Sequence, residues 1–530
     1  MPATEIPLPG SAPSPSARWV GWATLLLALP ALLPLAGALL VPWLKGMVPT
    51  GFIEYDMPSY LAEGRAYFER GFHFTYSNPY APYNSPAIYF QPQTLLLGLM
   101  QQLGFDPGVT FNIFGLLALF FAAAVALRLY LEVVGAETTA KKIGLVCFFW
   151  GGGIFTLVGI ALALARRSTL ISVFEFEPTW GWWMLNFGRN LVYPTEALYH
   201  GLFLLSLLAL IRRRLALSLT VAALLCLSHP YTGPTLMLIL IAYSGVELAM
   251  RSGAVTFRFM LGAILILTLD LTYYLVFLNR FSEHRVVQSQ LARAWLYLPK
   301  VFIAALMIVG ALAIWRIARA RFGCFRDSRT RLFAVWFLVV FAISHHELIM
   351  RPMEPIHFAH GYDWTALFFL GAPVLIAILD STLRISRPMV RWSALALLMG
   401  FFLLDNAAWL VKIAVHNEFL VSLTKDQSGA LNWLSHNVKS GDMVVCQDPL
   451  ISYLVSAYTP GRGWQGHEHN TPMLEQRQAE IERAFSQGLI LPEWQRHGVY
   501  YVSPATWSPP AQLSLVRLYG NAGFSIWTAP

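Results

Sequence analysis

Between two strongly apolar stretches, residues 52–93 collect acids, tyrosines, prolines and asparagines, and the segment opens on Glu54-Tyr55-Asp56. A carboxylate on an outer loop directly after a membrane span can take a proton from an attacking hydroxyl as a new bond forms. Asp56 is therefore the candidate base and Glu54 its nearby alternate. From Asp56 onward, Tyr60, Glu63, Tyr67 and Arg70 recur at helical spacing, with Met57, Leu61, Gly64 and Phe68 on the adjoining stripe. That pattern predicts an amphipathic helix lying on the membrane surface, with Tyr60 and Glu63 lining a cleft. The same residues allow a plainer role, in which Asp56 is an N-cap, Pro58 is tolerated in the first turn and the carboxylate satisfies backbone donors. Both roles can coexist.

Other polar residues stand out against the apolar background. Glu196, His229 and Asp270 fall in or beside apolar runs, where a charged acid costs about 3 kcal/mol unless it faces a cavity or a partner. Glu196 and His229 read as cavity lining or helix-end capping, Asp270 as a structural hydrogen-bond partner. Two histidine-rich stretches, His345-His346-Glu347 with Glu354, His357, His360 and Asp363, and His467-Glu468-His469, carry ligand types suited to zinc or manganese. Neither has an HExxH-like spacing, so a divalent metal is possible but none is expected to be obligate, and His357 and His360 are expected to line the cavity. Outer cations occur in Glu283-His284-Arg285, at Arg293, Lys300 and Arg351, and at Arg189 at the end of a Trp-rich run, Trp180 to Asn190. Each can also be an interfacial anchor that snorkels to headgroups, and the tryptophans suit an aromatic belt.

The elements that must position these residues are mostly membrane helices. With 56% hydrophobic and 12% charged residues and a mean hydropathy of +0.53, the composition is far from that of a soluble domain. Apolar runs near 19–44, 109–131, 143–165, 196–211, 214–229, 231–250, 257–279, 300–316, 331–350, 364–380 and 392–414 predict about eleven spans. Lys141-Lys142, Arg212-Arg213-Arg214, Arg251 with Arg258, the basic run from Arg316 to Arg331, and Arg384, Arg387 and Arg391 fall on alternate connections, which places them in the cytoplasm. The net charge of +8 is therefore topological, and nucleic-acid binding is not expected. The tail 1–18 is then cytoplasmic and carries no cleavable signal peptide, residues 19–414 form the membrane domain with a catalytic outer loop at 45–108, and 415–530 lie outside. Within that outer tail, a helix from Met473 to Gly488 and strands at Met443–Cys446, Val499–Val502 and Phe524–Trp527 predict a small α/β domain. The segment Tyr89-Phe90-Gln91-Pro92-Gln93 leads into a second apolar helix too short to span, which suits a membrane-parallel course. Four cysteines, Cys147, Cys226, Cys324 and Cys446, lie in separate segments and suggest neither disulfide nor metal site.

The run EYDMPSYLAEGRAYFERG after the first span, the Pro- and Tyr-rich loop, and YFQPQTLLLGL before the second span resemble the GT-C superfamily of membrane glycosyltransferases, of the protein mannosyltransferase and aminoarabinose transferase type. In the tail, ALNWLSHN, DMVVCQD, AYTPGRGWQGHEHNTP, HGVYYVSP and FSIWTAP are similar to the outer domain of bacterial members. The resemblance implies a GT-C-like polytopic helical fold in a bacterial inner membrane. It implies transfer of a sugar from a polyprenyl-phosphate donor to a glycan, lipid or protein acceptor. Asp56 matches the superfamily's acidic residue of the first outer loop, although Met57 stands where an adjacent acid is usual. The donor's phosphate would need an outer cation, for which Arg285 and Arg351, with His284, are the chosen candidates. The alternatives from other classes are a lipid-linked saccharide flippase and a non-catalytic scaffold that binds a partner. Polar residues concentrated at one face favour transfer.

Overall fold

The computed structural model describes residues 16–169, 184, 187–291, 299–416, 422–510 and 513–529. Arg293 and most of the Trp-rich run, including Trp180, Trp182 and Trp183, lie outside them. Among the described residues, seven helices are long and apolar enough to cross a membrane: Ala17–Leu44, Pro107–Val133, Pro194–Ile211, Thr232–Ala249, Phe257–Arg280, Tyr362–Leu383 and Pro388–Ile413. The protein is an integral membrane protein. All eleven apolar runs are at least partly helical, but not all are single full-length spans. Leu215–Ser228 has 14 residues and Ser328–Ser344 has 17, short of the roughly 20 that a bilayer core requires. The predicted span 143–165 is two helices, Thr139–Trp150 and Phe155–Ala165, bent by 67°.

The bend sits on Gly151-Gly152-Gly153, and its backbone groups are repaid by neighbouring helices. Asn406 Nδ2 donates to the carbonyls of Trp150 and Gly151 at 3.1 and 2.8 Å, and Asp405 accepts the N–H groups of Phe155 and Thr156 at 3.0 and 2.8 Å. Ile154 N–H reaches the Ala304 carbonyl at 2.9 Å. Broken backbone at membrane depth is tolerated where such partners exist.

Several basic connections are tied to acids of neighbouring helices. Glu132 receives Arg212 at 2.9 Å and Arg329 at 3.3 Å, and Arg331 pairs with the buried Glu247 at 2.6 Å. The first long loop and the tail are tied together by antiparallel pairing of Val48–Pro49 with Ser422–Leu423. The tail holds a five-stranded sheet ordered Arg462–Gly463, Met443–Cys446, Val499–Pro504, Phe524–Thr528, Val516–Gly520, the first three parallel and the rest antiparallel. Alternation along Met443–Cys446 supplies both layers: Val444 faces Leu434, Ile451 and Ile526, while Val445 faces Ile481, Phe485 and Trp494. The expected helix is Leu474–Gln487, ended by Gly488 at φ +73°. Val516–Gly520 was not foreseen, because its largely exposed side chains leave no apolar alternation.

The Asp56 helix, Met57–Ala66, does not lie on the membrane surface as expected. Met57, Leu61, Ala62, Gly64 and Ala66 are buried, and the helix is packed between Pro92–Gln101 and the tail helix Pro449–Tyr458. A Cβ on Gly64 would come within 2.7 Å of Gly98 N, so the first two helices touch backbone to backbone. Pro92–Gln101 instead turns Leu96 and Leu99 outward, as a helix against lipid would. If basic connections and tail lie on opposite sides, an impermeant maleimide should label Glu482→Cys on intact cells. In a Cys324→Ser background, Arg326→Cys should react only after permeabilisation. Equal labelling of both before permeabilisation contradicts this orientation.

Candidate active site

Asp56 occupies the N-cap position, yet its side chain accepts no capping hydrogen bond. Its Oδ1 is instead 2.7 Å from Nε2 of His467, a residue of the tail. The His469 backbone N–H points at His467 Nδ1, 3.2 Å away, so Nδ1 is the bare acceptor and Nε2–H donates to the carboxylate. Burial alone would raise the Asp56 carboxyl; its histidine surroundings, foremost the hydrogen bond from His467, outweigh burial and hold the group below the usual carboxylate range. Glu54 behaves in the opposite way. Burial first, then the charge of Asp56, raises it well above the ordinary value, against the pull of Arg189. Two neighbouring acids thus separate into one that keeps its charge and one that keeps its proton. Tyr60, raised by burial and by Tyr199, Asp56, Glu54 and Glu196, stands among all of them.

Across Tyr60 a second polar cluster forms from residues far apart in sequence. His360 Nδ1 donates to Glu196 Oε2 at 2.8 Å, which leaves its Nε2 to accept from His357 Nδ1 at 3.2 Å. His357 Nε2 lies 3.5 Å from Glu354 Oε2, and that carboxyl accepts from the Tyr231 hydroxyl at 2.6 Å. His229 stacks on Tyr199 at 4.4 Å and hydrogen-bonds Thr232 at 2.8 Å, while His200 Nε2 reaches the His360 carbonyl at 2.9 Å. Burial pushes His357 down to about 3 and holds His229 and His360 well below the ordinary imidazole value, so these rings are neutral. Glu354 and His360 sit at φ +45° and +38°, left-handed backbone that costs about 1–3 kcal/mol each in a non-glycine residue. Both strained residues carry side chains of this cluster.

Arg189 is a cation within electrostatic reach of both clusters. It is 2% exposed, lies 4.4 Å over the Tyr193 ring and hydrogen-bonds Asn190 at 2.8 Å. Its charge acts on Glu54, His357, His360 and His200. Arg285 and Arg351 are placed differently: both are exposed, and Arg285 donates to its own loop at the Asn279 carbonyl, 2.7 Å away. His284 is buried against Tyr89, its ring nitrogen 3.2 Å from the hydroxyl, and burial takes it down to about 4. The structure therefore brings together Asp56, Glu54, Tyr60, Glu196, His229, His357 and His360, while Glu63 is packed with Tyr76 one turn further along the helix. Sequence reasoning missed two partners. His467 was visible only within a metal-like HEH stretch, and Arg189 only as one outer cation among several.

Among the described residues, no group of three or more His, Cys, Asp or Glu is arranged to hold a metal ion. His345 and His346 turn their Nδ1 atoms back to carbonyls of their own helix, and His467 is engaged by Asp56.

No protein-family profile and no curated protein matches the sequence. Among solved structures, the chain is similar to the oligosaccharyltransferase of Archaeoglobus fulgidus in its apo form, with a TM-score of 0.50 and 12% identity over 92% of this chain and 70% of that one. It is also similar to the archaeal oligosaccharyltransferase AglB from Archaeoglobus fulgidus in complex with an inhibitory peptide and a dolichol-phosphate, at TM-score 0.47, 14% identity and coverages of 92% and 70%. The chain shares the overall fold of that apo oligosaccharyltransferase. At such identity the likeness concerns the fold.

Glu63 gives a test of this packing. Burial raises its carboxyl to about 8, so between the unfolded value near 4.5 and about pH 8 the unfolded chain releases a proton that the folded chain keeps. Stability conferred by the protonated form is lost as pH rises through that window. Thermal unfolding in detergent should show this fall, and Glu63→Gln should flatten it. A slope unchanged in the variant would place the titration elsewhere.

Proposed function

We propose that this protein is a membrane glycosyltransferase that moves a sugar from a polyprenyl-phosphate carrier to an acceptor hydroxyl at the outer face of the membrane. The observation that carries this reading is Asp56, a carboxylate held ionised, not used as a helix cap and still 39% exposed. In the reaction, the acceptor oxygen attacks the anomeric carbon, the carbon–oxygen bond to the phosphate breaks, and the lipid phosphate leaves with the electron pair. Asp56 takes the hydroxyl proton. Glu54, protonated beside it, can donate a hydrogen bond without competing for that proton. Charge grows on the departing phosphate, and a fixed cation in a water-poor site stabilises it more than one in bulk water. Arg189 has that position, whereas the exposed Arg285 and Arg351 suit contact with headgroups or with the carrier on its way in. The neutral imidazoles of His229, His357 and His360 can donate to and accept from sugar hydroxyls. The shared fold agrees with this reading, as does the gathering of polar groups between the first loop and the tail.

Cells lacking the protein should accumulate the lipid-linked sugar, identifiable by mass spectrometry, and that lipid fraction then serves as donor for purified enzyme. Asp56→Asn should lower transfer by about two to four orders of magnitude, the scale of losing a general base, with melting temperature near wild type. Glu54→Gln, which mimics a protonated acid, should retain most activity. Equal losses in the two variants, or an active Asp56→Asn enzyme, would remove Asp56 from the role of base.

Arg189→Gln should raise the KM for that lipid donor by about thirty- to a hundredfold, as expected for a lost charge-assisted contact of roughly 2 to 3 kcal/mol. Arg285→Gln and Arg351→Gln should change it less. Donor KM unchanged in Arg189→Gln but raised in either exposed variant would return the phosphate to the loop cations.

A further inference from the structure

His467 is only 3% exposed and stands in a built setting. Its ring lies 5.0 Å from that of Tyr55, 5.6 Å from Tyr453 and 6.2 Å from Tyr80. Thr471 Oγ1 donates to its carbonyl at 2.7 Å and accepts the Gly466 N–H at 3.2 Å, which closes the turn around it. Gly466 is required there, since a Cβ would fall 2.1 Å from the Tyr80 ring. The turn is fastened to the first loop by Arg477, which donates to the carbonyls of Tyr80 and Trp464 at 2.7 and 2.8 Å, and by Asn78 Nδ2 on the Asn470 carbonyl at 2.8 Å. Nothing in this arrangement leaves the imidazole free to rotate. Its Nε2–H engages Asp56 Oδ1, while the carboxylate as a whole stays 39% exposed.

We propose that His467 is a positioning residue: by holding Oδ1 it fixes the plane of the Asp56 carboxylate so that Oδ2 faces the acceptor hydroxyl. Because His467 belongs to the tail, the site is complete only when the tail is docked on the first loop. The inference rests on Asp56 acting as the base. A base held within a few tenths of an ångström acts on a bound hydroxyl far more often than one that swings, and a misplacement of 1 Å can cost about a hundredfold. The carboxylate has other polar neighbours, namely Glu54, Tyr60, His357 and His469. None of these holds it by a direct hydrogen bond in the described structure, so orientation falls to His467.

The test uses the full-length protein in lipid nanodiscs, with the polyprenyl-phosphate lipid fraction extracted from the deletion strain as donor and membranes of that strain as acceptor. His467→Met keeps the volume of the ring and lacks the donor; His467→Gln keeps an N–H at similar reach. The expected result is a kcat about ten- to a hundredfold lower in His467→Met with donor KM unchanged, and recovery of most of that loss in His467→Gln. In the Asp56→Asn background, His467→Met should cost nothing further. Two outcomes would overturn the proposal: His467→Met within about threefold of wild type, or Met and Gln variants equally impaired. Nitrogen NMR of labelled histidine, which needs no variant, should show Nε2 carrying the proton in His467; a proton on Nδ1 would also overturn it. An active Asp56→Asn enzyme would instead sink the base assignment. An inactive one, with His467→Met fully active, would spare that assignment and remove only the positioning role.

Discussion

Buried at the seam between the first outer loop and the tail, the guanidinium of Arg462 decides how the two parts of the molecule meet. It makes a two-point contact with Glu69, at 3.2 and 2.6 Å, donates to Ser77 Oγ at 2.7 Å, and shares one nitrogen among the carbonyls of Asn78, Ala81 and Pro82. A loop with this many prolines cannot satisfy its carbonyls within a regular element, and a buried guanidinium cannot stay unpaired. Each supplies what the other lacks. Breaking such a pair leaves an isolated charge in a dry place, a cost of about 3 to 5 kcal/mol, so the docking has one geometry rather than many.

That geometry places the site. With loop and tail locked by Arg462, Arg477 and Asn78, the Asp56 helix is held between Pro92–Gln101 and Pro449–Tyr458, and the turn at Gly466 delivers His467 to the carboxylate. Below it, the left-handed residues Glu354 and His360 bend the loop so that Glu196, His357 and His360 form one hydrogen-bonded line. Burial then sets the charges. It drives the imidazoles neutral and keeps Glu54 protonated, while Asp56, with a donor aimed at it, stays ionised. A site built this way has one ionised carboxylate at a defined point, surrounded by neutral groups that can make hydrogen bonds in either direction.

Much of this was legible before any coordinates. The apolar runs announced helices at nearly the right bounds, because a bilayer requires about twenty apolar residues per span and a soluble core does not. Some of the basic connections are paired with acids of neighbouring helices, as Arg212 and Arg329 are with Glu132 and Arg331 with Glu247. Asp56 drew attention as an acid placed between apolar stretches. Three expectations changed. The Asp56 helix is packed rather than surface-bound, because Gly64 and Gly98 permit a backbone approach that an amphipathic pattern does not reveal. The span at 143–165 is broken, because the partners that satisfy Gly151 and Ile154 lie on other helices. The outer cations chosen for the phosphate stand exposed, because exposure is a property of the fold around a residue and has no mark in its own sequence.

The sequence by itself determined the membrane setting and singled out Asp56 as an acid between apolar stretches, since both follow from local composition and from the cost of placing charge in hydrocarbon. Only the tertiary structure decided what that acid touches. Asp56 and His467 are separated by 411 positions, and whether a carboxylate at a helix start serves as a cap or faces a cleft depends on which donor reaches it first. A backbone N–H two or three residues away is encoded in the helix; an imidazole from another domain is encoded only in the docking.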